Sequence, residues 1–265
     1  MTFKKMNITI FAGVVFTVAI SSAPPARAAT TIWAVTQGGV YKSIDSGATW
    51  QQTPVTVSNP LLKGSDPQTP VGAAIALDPQ QPSTVYFVGR MLGSSGWGFY
   101  RSTDNGKTWT STLLVGIPIA YPSSYWTTWI LVDPVLTNVV YLGWGGGIAK
   151  STDYGATFSN LTMPNLPNGG GPGVPGGLSV DPTSSGVLYM SEARFVWRSG
   201  DFGSSWTALA PVVTQQSGLQ IGNVVVDPRN RNVLYVGNSG GSPECGPPNS
   251  FKECGLWRSA DGGQS

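Results

Sequence analysis

Apolar residues in this chain come in short runs, and each run ends in a cluster of Gly, Pro, Asp, Ser or Asn. The runs are rich in β-branched and aromatic residues, as in Val139-Val140-Tyr141-Leu142 and Val233-Leu234-Tyr235-Val236. That pattern predicts strands, and beyond residue 29 no stretch shows the three- and four-residue apolar spacing of an amphipathic helix.

Two motifs punctuate the runs. Asp-Pro pairs begin at Asp78, Asp133, Asp181 and Asp227, and each is followed eight residues later by a tyrosine: Tyr86, Tyr141, Tyr189 and Tyr235. The run ending at Asp-Pro, such as Ile75-Ala76-Leu77 or Val224-Val225-Val226, reads as a first strand. Pro breaks it, Asp can cap the turn, and the run around Tyr returns as a second strand. The other motif is Ser-x-Asp-x-Gly followed by a hydroxyl residue and an aromatic. It reads Ser43-Ile-Asp45-Ser-Gly47-Ala-Thr49-Trp50 at its first occurrence and returns around Asp104, Asp153, Asp201 and Asp261. A third strand such as Val196-Trp197-Arg198 leads into it and a fourth leaves it.

One repeat is thus four antiparallel strands in about 50 residues, the size of a propeller blade. The expected fold is an all-β propeller over residues 30–265, an incomplete fragment of about four to five blades truncated at its C-terminus. Trp33 stands where the other repeats have Tyr, so the chain is expected to enter in strand two of a first partial blade and to end after strand three of the last. The second motif has a rationale without catalysis: Asp and hydroxyl side chains satisfy turn donors, Gly takes positive φ, and the aromatic packs between blades. Asp45, Asp104, Asp153, Asp201 and Asp261 are therefore expected to be structural, as are the Asp-Pro aspartates.

Residues 1–28 read as a secretory signal peptide, since Lys4 and Lys5 precede an apolar run from Ile8 to Ile20 and the small-residue site Ala26-Arg27-Ala28. The run is shorter than the ~20 residues of a spanning helix, so no stable membrane span is expected after cleavage. Removing the leader takes away Lys4, Lys5 and Arg27 and no acid, which turns a formal charge of +2 into −1. No basic footprint for nucleic acid remains, and the expected location is secreted or periplasmic. Cys245 and Cys254, nine positions apart in a Pro/Gly-rich insertion, predict a local disulfide in an oxidising compartment. Two Cys and no His make a zinc site or His-dependent nucleophilic catalysis untenable, and no metal or cofactor is expected.

Length variation decides where function should sit. In an antiparallel blade the Asp-Pro turn and the second motif share one face, and both have rigid spacing. The other two connections vary: from Tyr to the motif Asp is 12 residues after Tyr141 and Tyr189, 18 after Tyr86 and 26 after Tyr235. Setting aside the nine motif aspartates leaves Asp66, Glu192, Glu244 and Glu253, all on variable-face connections. Trp97, Tyr121, Tyr125, Trp126 and Trp144 fall there too, and rings beside carboxylates suit sugar binding. Closing the top of the propeller core is the competing reading of those rings, and a solvated pair with Arg194 that of Glu192. The stretch from Gly169 to Gly177 lacks the Lys-Ser/Thr ending of a phosphate loop and reads as a loop into a strand.

The Ser-x-Asp-x-Gly-x-Thr-Trp motif at blade spacing resembles the Asp-box, or BNR, repeat of sialidase-type β-propellers. The wider texture is most similar to xyloglucanase-type glycoside hydrolases and to sortilin-like and photosystem II assembly factor-like propellers. In those families the box is a fold signature away from the active site. A sialidase needs three arginines for its substrate carboxylate, whereas only Arg90 and Arg194 reach the variable face here. The segment from Trp33 to Lys42 resembles the early catalytic segment of xyloglucanases, but Gln37 stands about where their Asp should be. An amide cannot act as a general base. The expectation is a non-catalytic propeller module that binds a polysaccharide or a surface protein through Trp97, Tyr125, Trp126 and Trp144. The alternative is a xyloglucanase-like glycoside hydrolase acting on extracellular polysaccharide, with Asp66 and Glu192 as candidate catalytic residues.

Overall fold

The computed structural model describes residues 17–20, 30–36, 39–54, 74–90, 97–114, 117, 129–144, 146–165, 175–192, 195–209, 221–238 and 256–265. Every regular element among them is a strand. Blade one is β1 (Thr17–Ile20), β2 (Ile32–Thr36), β3 (Gly39–Ser43) and β4 (Gln51–Gln52). Blade two is β5 (Ala74–Leu77), β6 (Val85–Arg90), β7 (Trp97–Ser102) and β8 (Thr110–Leu113). Blade three is β9 (Trp129–Val132), β10 (Val140–Trp144), β11 (Gly147–Ser151) and β12 (Ser159–Asn160). Blade four is β13 (Pro175–Val180), β14 (Leu188–Glu192), β15 (Phe195–Ser199) and β16 (Thr207–Ala208), and blade five is β17 (Ile221–Asp227), β18 (Asn230–Asn238) and β19 (Leu256–Ser259). Each blade is an antiparallel meander in sequence order, and the first strands of successive blades lie against one another.

The strand assignments and register follow the repeat. In every blade the Tyr slot pairs with the basic residue before the box Ser: Trp33 with Lys42, Tyr86 with Arg101, Tyr141 with Lys150, Tyr189 with Arg198 and Tyr235 with Arg258. One expectation is corrected. Blade one does not begin at strand two, because Thr17–Ile20, inside the segment read as a leader, supplies its first strand. Four blades therefore have four strands, and blade five has three among the described residues.

Strand alternation builds the core between blades rather than within one. On β6, Phe87 joins Trp33, Val35 and Ile75 in the seam between blades one and two, while Tyr86 and Val88 join Ile130, Val140 and Leu142 in the next. Tyr141 and Ile148 pack with Leu188 and Met190 between blades three and four. Tyr189 and Val196 pack with Val224 and Leu234 between blades four and five. The box aromatics close these seams as expected: Trp109 stands edge-on to Trp33, and Phe158 edge-on to Phe99 with ring centres 4.9 Å apart.

All five boxes share one hydrogen-bond pattern. Ser Oγ donates to Asp Oδ1, as from Ser43 to Asp45 at 2.7 Å and from Ser151 to Asp153 at 2.7 Å. The same Oγ accepts the Gly N–H at 2.8–2.9 Å, and the Asp carboxylate takes both the N–H and the hydroxyl of the Thr or Ser four residues on. The residue between Asp and Gly is left-handed even where it is not glycine: Ser46, Asn105, Tyr154 and Phe202 have φ of 59–62°. Its N–H donates to a carbonyl in the first turn of the same blade, from Asn105 to Ser83 and from Tyr154 to Asn138, so both rigid turns lie side by side on one face. The division into a rigid and a variable face holds.

The basic residue before each box reaches the left-handed residue of the next. Lys42 Nζ donates to the Asn105 carbonyl, Arg101 stacks 4.7 Å from the Tyr154 ring, and Lys150 Nζ donates to the Phe202 carbonyl. Blade four breaks the series: Arg198 lies over Tyr189 of its own blade, and the fifth box has Gly262 at the left-handed position.

These turns also set the response to acid. Hydrogen bonds from Thr49 and Ser43 hold Asp45 down at about 2, and Ser205 and Ser199 do the same for Asp201. Asp104 and Asp261 are lowered by the same kind of bonds. For Asp153 burial pushes upward, but the combined hydrogen bonds from Thr157 and Ser151 outweigh it. A depressed folded-state pKa contributes stability above the unfolded value of ~3.9 and loses it as pH falls through the folded value. Resistance to urea should therefore be steady down to about pH 5 and drop steeply between about pH 4 and pH 2. An unfolding midpoint that stays level through that window would contradict this role of the boxes.

Candidate functional site

The variable face is formed by the hairpins from second to third strands and by the connections to the next blade. Three hairpins are tight, closed by the pairs Thr36 with Gly39, Trp144 with Gly147 and Glu192 with Phe195. At the second, glycine is required: a Cβ on Gly146 would lie 2.6 Å from Trp144 Nε1. Gln37 and Arg194 in two of these hairpins, and Asp66, Tyr121, Tyr125, Trp126, Cys245 and Cys254 in the longer connections, lie outside the described residues.

Two of the four proposed binding rings meet in one place. Trp144 ends β10 in the seam between blades two and three, only 6% exposed, beside Leu114 and Ile117. Trp97 opens β7 and packs against the same cluster while remaining only partly buried. Its carbonyl accepts the Leu114 N–H at 3.0 Å, which fixes the start of the connection that carries Tyr125 and Trp126. Trp144 thus closes the core, and Trp97 is the less buried of the two. The sequence did not single out Trp129, whose indole covers Gly143; a Cβ there would meet it at 2.0 Å. The paired positions Gly143 and Trp129 were the available signal.

Glu192 lies in blade four, across blade three from that seam. It is fully buried, not solvated as the ion-pair reading expected. It sits opposite Pro175 in a neighbouring strand and next to Ser191, whose Oγ donates to the Gly177 carbonyl at 3.5 Å. The glycines of this strand allow close approach to blade five: a Cβ on Gly177 would meet Asn223 Oδ1 at 2.3 Å, and one on Gly176 the Ile221 carbonyl at 2.9 Å. The described end of the Gly-rich stretch is thus strand β13, as the sequence suggested, and its glycines serve packing.

The box and Asp-Pro aspartates are occupied by their turns. Asp78 Oδ1 accepts the N–H groups of Gln80 and Gln81, and Asp133 Oδ1 those of Val135 and Leu136. Among the described residues no group of three or more His, Cys, Asp or Glu could hold a metal ion, and no helix is long and apolar enough to cross a membrane.

No family model matches the chain. It is 26% identical over 258 residues to a xyloglucanase of Paenibacillus sp, a match covering 88% of this chain and 24% of that protein. It is 24% identical over 268 residues to a xyloglucanase of Acetivibrio thermocellus, covering 88% of this chain and 29% of that one. The chain therefore spans only a quarter to under a third of the length of these relatives. Among solved structures, an ancestral GH74 enzyme superimposes with a TM-score of 0.60 at 18% identity, covering 93% of this chain and 32% of its own. The chain has a β-propeller fold and carries the Ser-x-Asp-x-Gly box five times.

Proposed function

We propose that this chain is an exported propeller module that binds an extended polysaccharide, xyloglucan, across the variable face, and does not itself hydrolyse it. The observation that carries the reading is the similarity to xyloglucanases along 88% of the chain, on a fold whose length variation gathers at one face. Trp97 is partly buried at the seam from which the Tyr125 and Trp126 connection departs, and sugar C–H faces stack on such rings. Gln37 in place of a general base argues against hydrolysis. Export rests on the leader-like residues 1–28, which would place the protein outside the cell or in the periplasm, with Cys245 and Cys254 joined in a disulfide. A second reading, a xyloglucanase-like hydrolase using carboxylates such as Asp66 and Glu192, is favoured by the names of the relatives.

Affinity electrophoresis in gels containing xyloglucan tests the first reading. The wild type should be retarded, and Trp97→Ala or Trp126→Ala should each weaken binding by ~1 kcal/mol or more. Reducing-sugar release should stay at background. Migration unaffected by the polysaccharide would sink the glycan reading, and release abolished by Asp66→Asn or Glu192→Gln would establish the hydrolase instead.

A further inference from the structure

Blade one takes its innermost strand from the leader-like segment. β1 pairs with β2 in the register Thr17 to Val35, Val18 to Ala34, Ala19 to Trp33 and Ile20 to Ile32. It also lies against β5, as the first strand of each blade lies against its neighbour's. On β2, Trp33, Ala34 and Val35 are buried, and Trp33 and Val35 line the seam between blades one and two with Val40, Ile75, Val85 and Phe87. Just past the small-residue site Ala26-Arg27-Ala28, the chain is fastened by a different device. Thr30 donates its N–H to Ser46 Oγ at 3.0 Å and accepts the Ser46 N–H at 3.1 Å.

Cleavage after Ala28 would therefore leave Thr30 and β2 anchored by the first box while removing the strand that covers the inner edge of β2. Backbone groups along residues 32–35 that now pair with β1 would lose their partners at a position flanked by β5. A bare strand edge beside an apolar seam is a template for another strand.

We propose that the innermost place of blade one is a strand-acceptor site, held by Thr17–Ile20 while the leader is attached and open after cleavage to an extended apolar peptide. The chemistry of the occupant is that of the first strands themselves. Thr-Val-Ala-Ile of β1, Ala-Ile-Ala-Leu of β5 and Trp-Ile-Leu-Val of β9 are uncharged runs rich in β-branched residues. Main-chain pairing to β2 supplies affinity and alternate apolar side chains supply selectivity, the mode of β-augmentation. The same apolar run then has two competing fates, engagement as a strand or export as a leader. Folding of blade one before processing would hold the bond after Ala28 close to the anchored Thr30, so removal of the leader must precede folding or wait for β1 to detach.

The test uses the full chain with a site-specific protease sequence replacing residues 21–27, cut after folding, and a fluorescent peptide of residues 14–23. The cut N-terminal fragment should co-elute with the body in gel filtration and be displaced by excess labelled peptide with saturable anisotropy. The uncut chain should exclude the peptide. A peptide with Pro at positions 18 and 19 should bind at least about tenfold more weakly, because N–H groups alternate along a strand and one of the two must face β2. Should the protease-site chain not fold, the full chain carrying Val18→Pro and Ala19→Pro opens the same place without an insertion and should gain peptide binding that the wild type lacks. The site is refuted if the fragment separates and no peptide binds, if the Pro peptide binds equally well, or if the uncut wild type binds as much peptide as the opened chain.

Discussion

Gly155→Ala is expected to destabilise the propeller by ~3 kcal/mol or more, combining left-handed strain of ~1–2 kcal/mol with overpacking of ~1–3 kcal/mol. Gly155 closes the third box at φ 84°, and a Cβ on it would stand 2.1 Å from Cε1 of Phe99. Phe99 cannot yield cheaply: it is 1% exposed and wedged between the rings of Tyr86 and Phe158. The first box supplies the control. Gly47 has a similar φ of 90°, but its nearest neighbours to a Cβ are Ile32 at 3.7 Å and Trp50 at 3.9 Å. Gly47→Ala should therefore lose only the backbone share, ~1–2 kcal/mol. Urea unfolding followed by far-ultraviolet circular dichroism separates the two, and equal losses would mean that Phe99 is not what fixes glycine in the third box.

The contrast shows what one line of sequence can carry. Repetition makes backbone requirements readable: a glycine that recurs at a fixed offset in five boxes announces positive φ, and a tyrosine eight residues after every Asp-Pro announces a strand. What each copy touches depends on the neighbouring blade, about 50 residues away in this repeat, and pattern alone does not weigh that contact. Thus the same Gly meets only ordinary van der Waals neighbours in the first box and an aromatic ring in the third. The clasp from Arg101 to Tyr154 was hidden for the same reason, since the left-handed position reads as variable until its ring is seen under a guanidinium of the preceding blade.

The candidate site was less legible than the fold, because its chemistry sits where the repeat fails. Trp97 and Trp144 could be assigned to one face from connection lengths, but which ring stays open depends on side-chain packing: Trp144 points into the seam and Trp97 stays at its edge. Glu192 illustrates the converse error. A Glu two positions from an Arg in a tight hairpin suggests a solvated pair, yet the end of β14 lies under blade-to-blade contacts and is fully buried. The missing first strand of blade one was misjudged because its apolar run was explained as an export signal, and the two roles ask for the same residues.

Asp133→Ala should be the most damaging of the Asp-Pro substitutions, at ~3–5 kcal/mol, since it removes a buried carboxylate that satisfies several donors at once. Asp133 is 0% exposed. Its Oδ1 accepts the N–H groups of Val135 and Leu136 at 2.9 Å, which shapes its own turn. Its Oδ2 crosses to blade four and accepts the Ser185 hydroxyl at 2.8 Å and the Gly186 N–H at 3.1 Å. Alanine would strand amide donors in both blades, while the serine hydroxyl could rotate to another acceptor. Asp78 provides the comparison, because it makes the same bonds within its own turn but its Oδ2 has no hydrogen-bond partner among the described residues. Asp78→Ala should accordingly cost less, ~1–2 kcal/mol. Hydrogen exchange distinguishes a lost turn from a lost staple: in Asp133→Ala the Gly186 amide should exchange much faster, whereas Asp78→Ala should leave it protected. Should Gly186 remain protected in the Asp133 variant, the link between blades three and four does not run through this carboxylate.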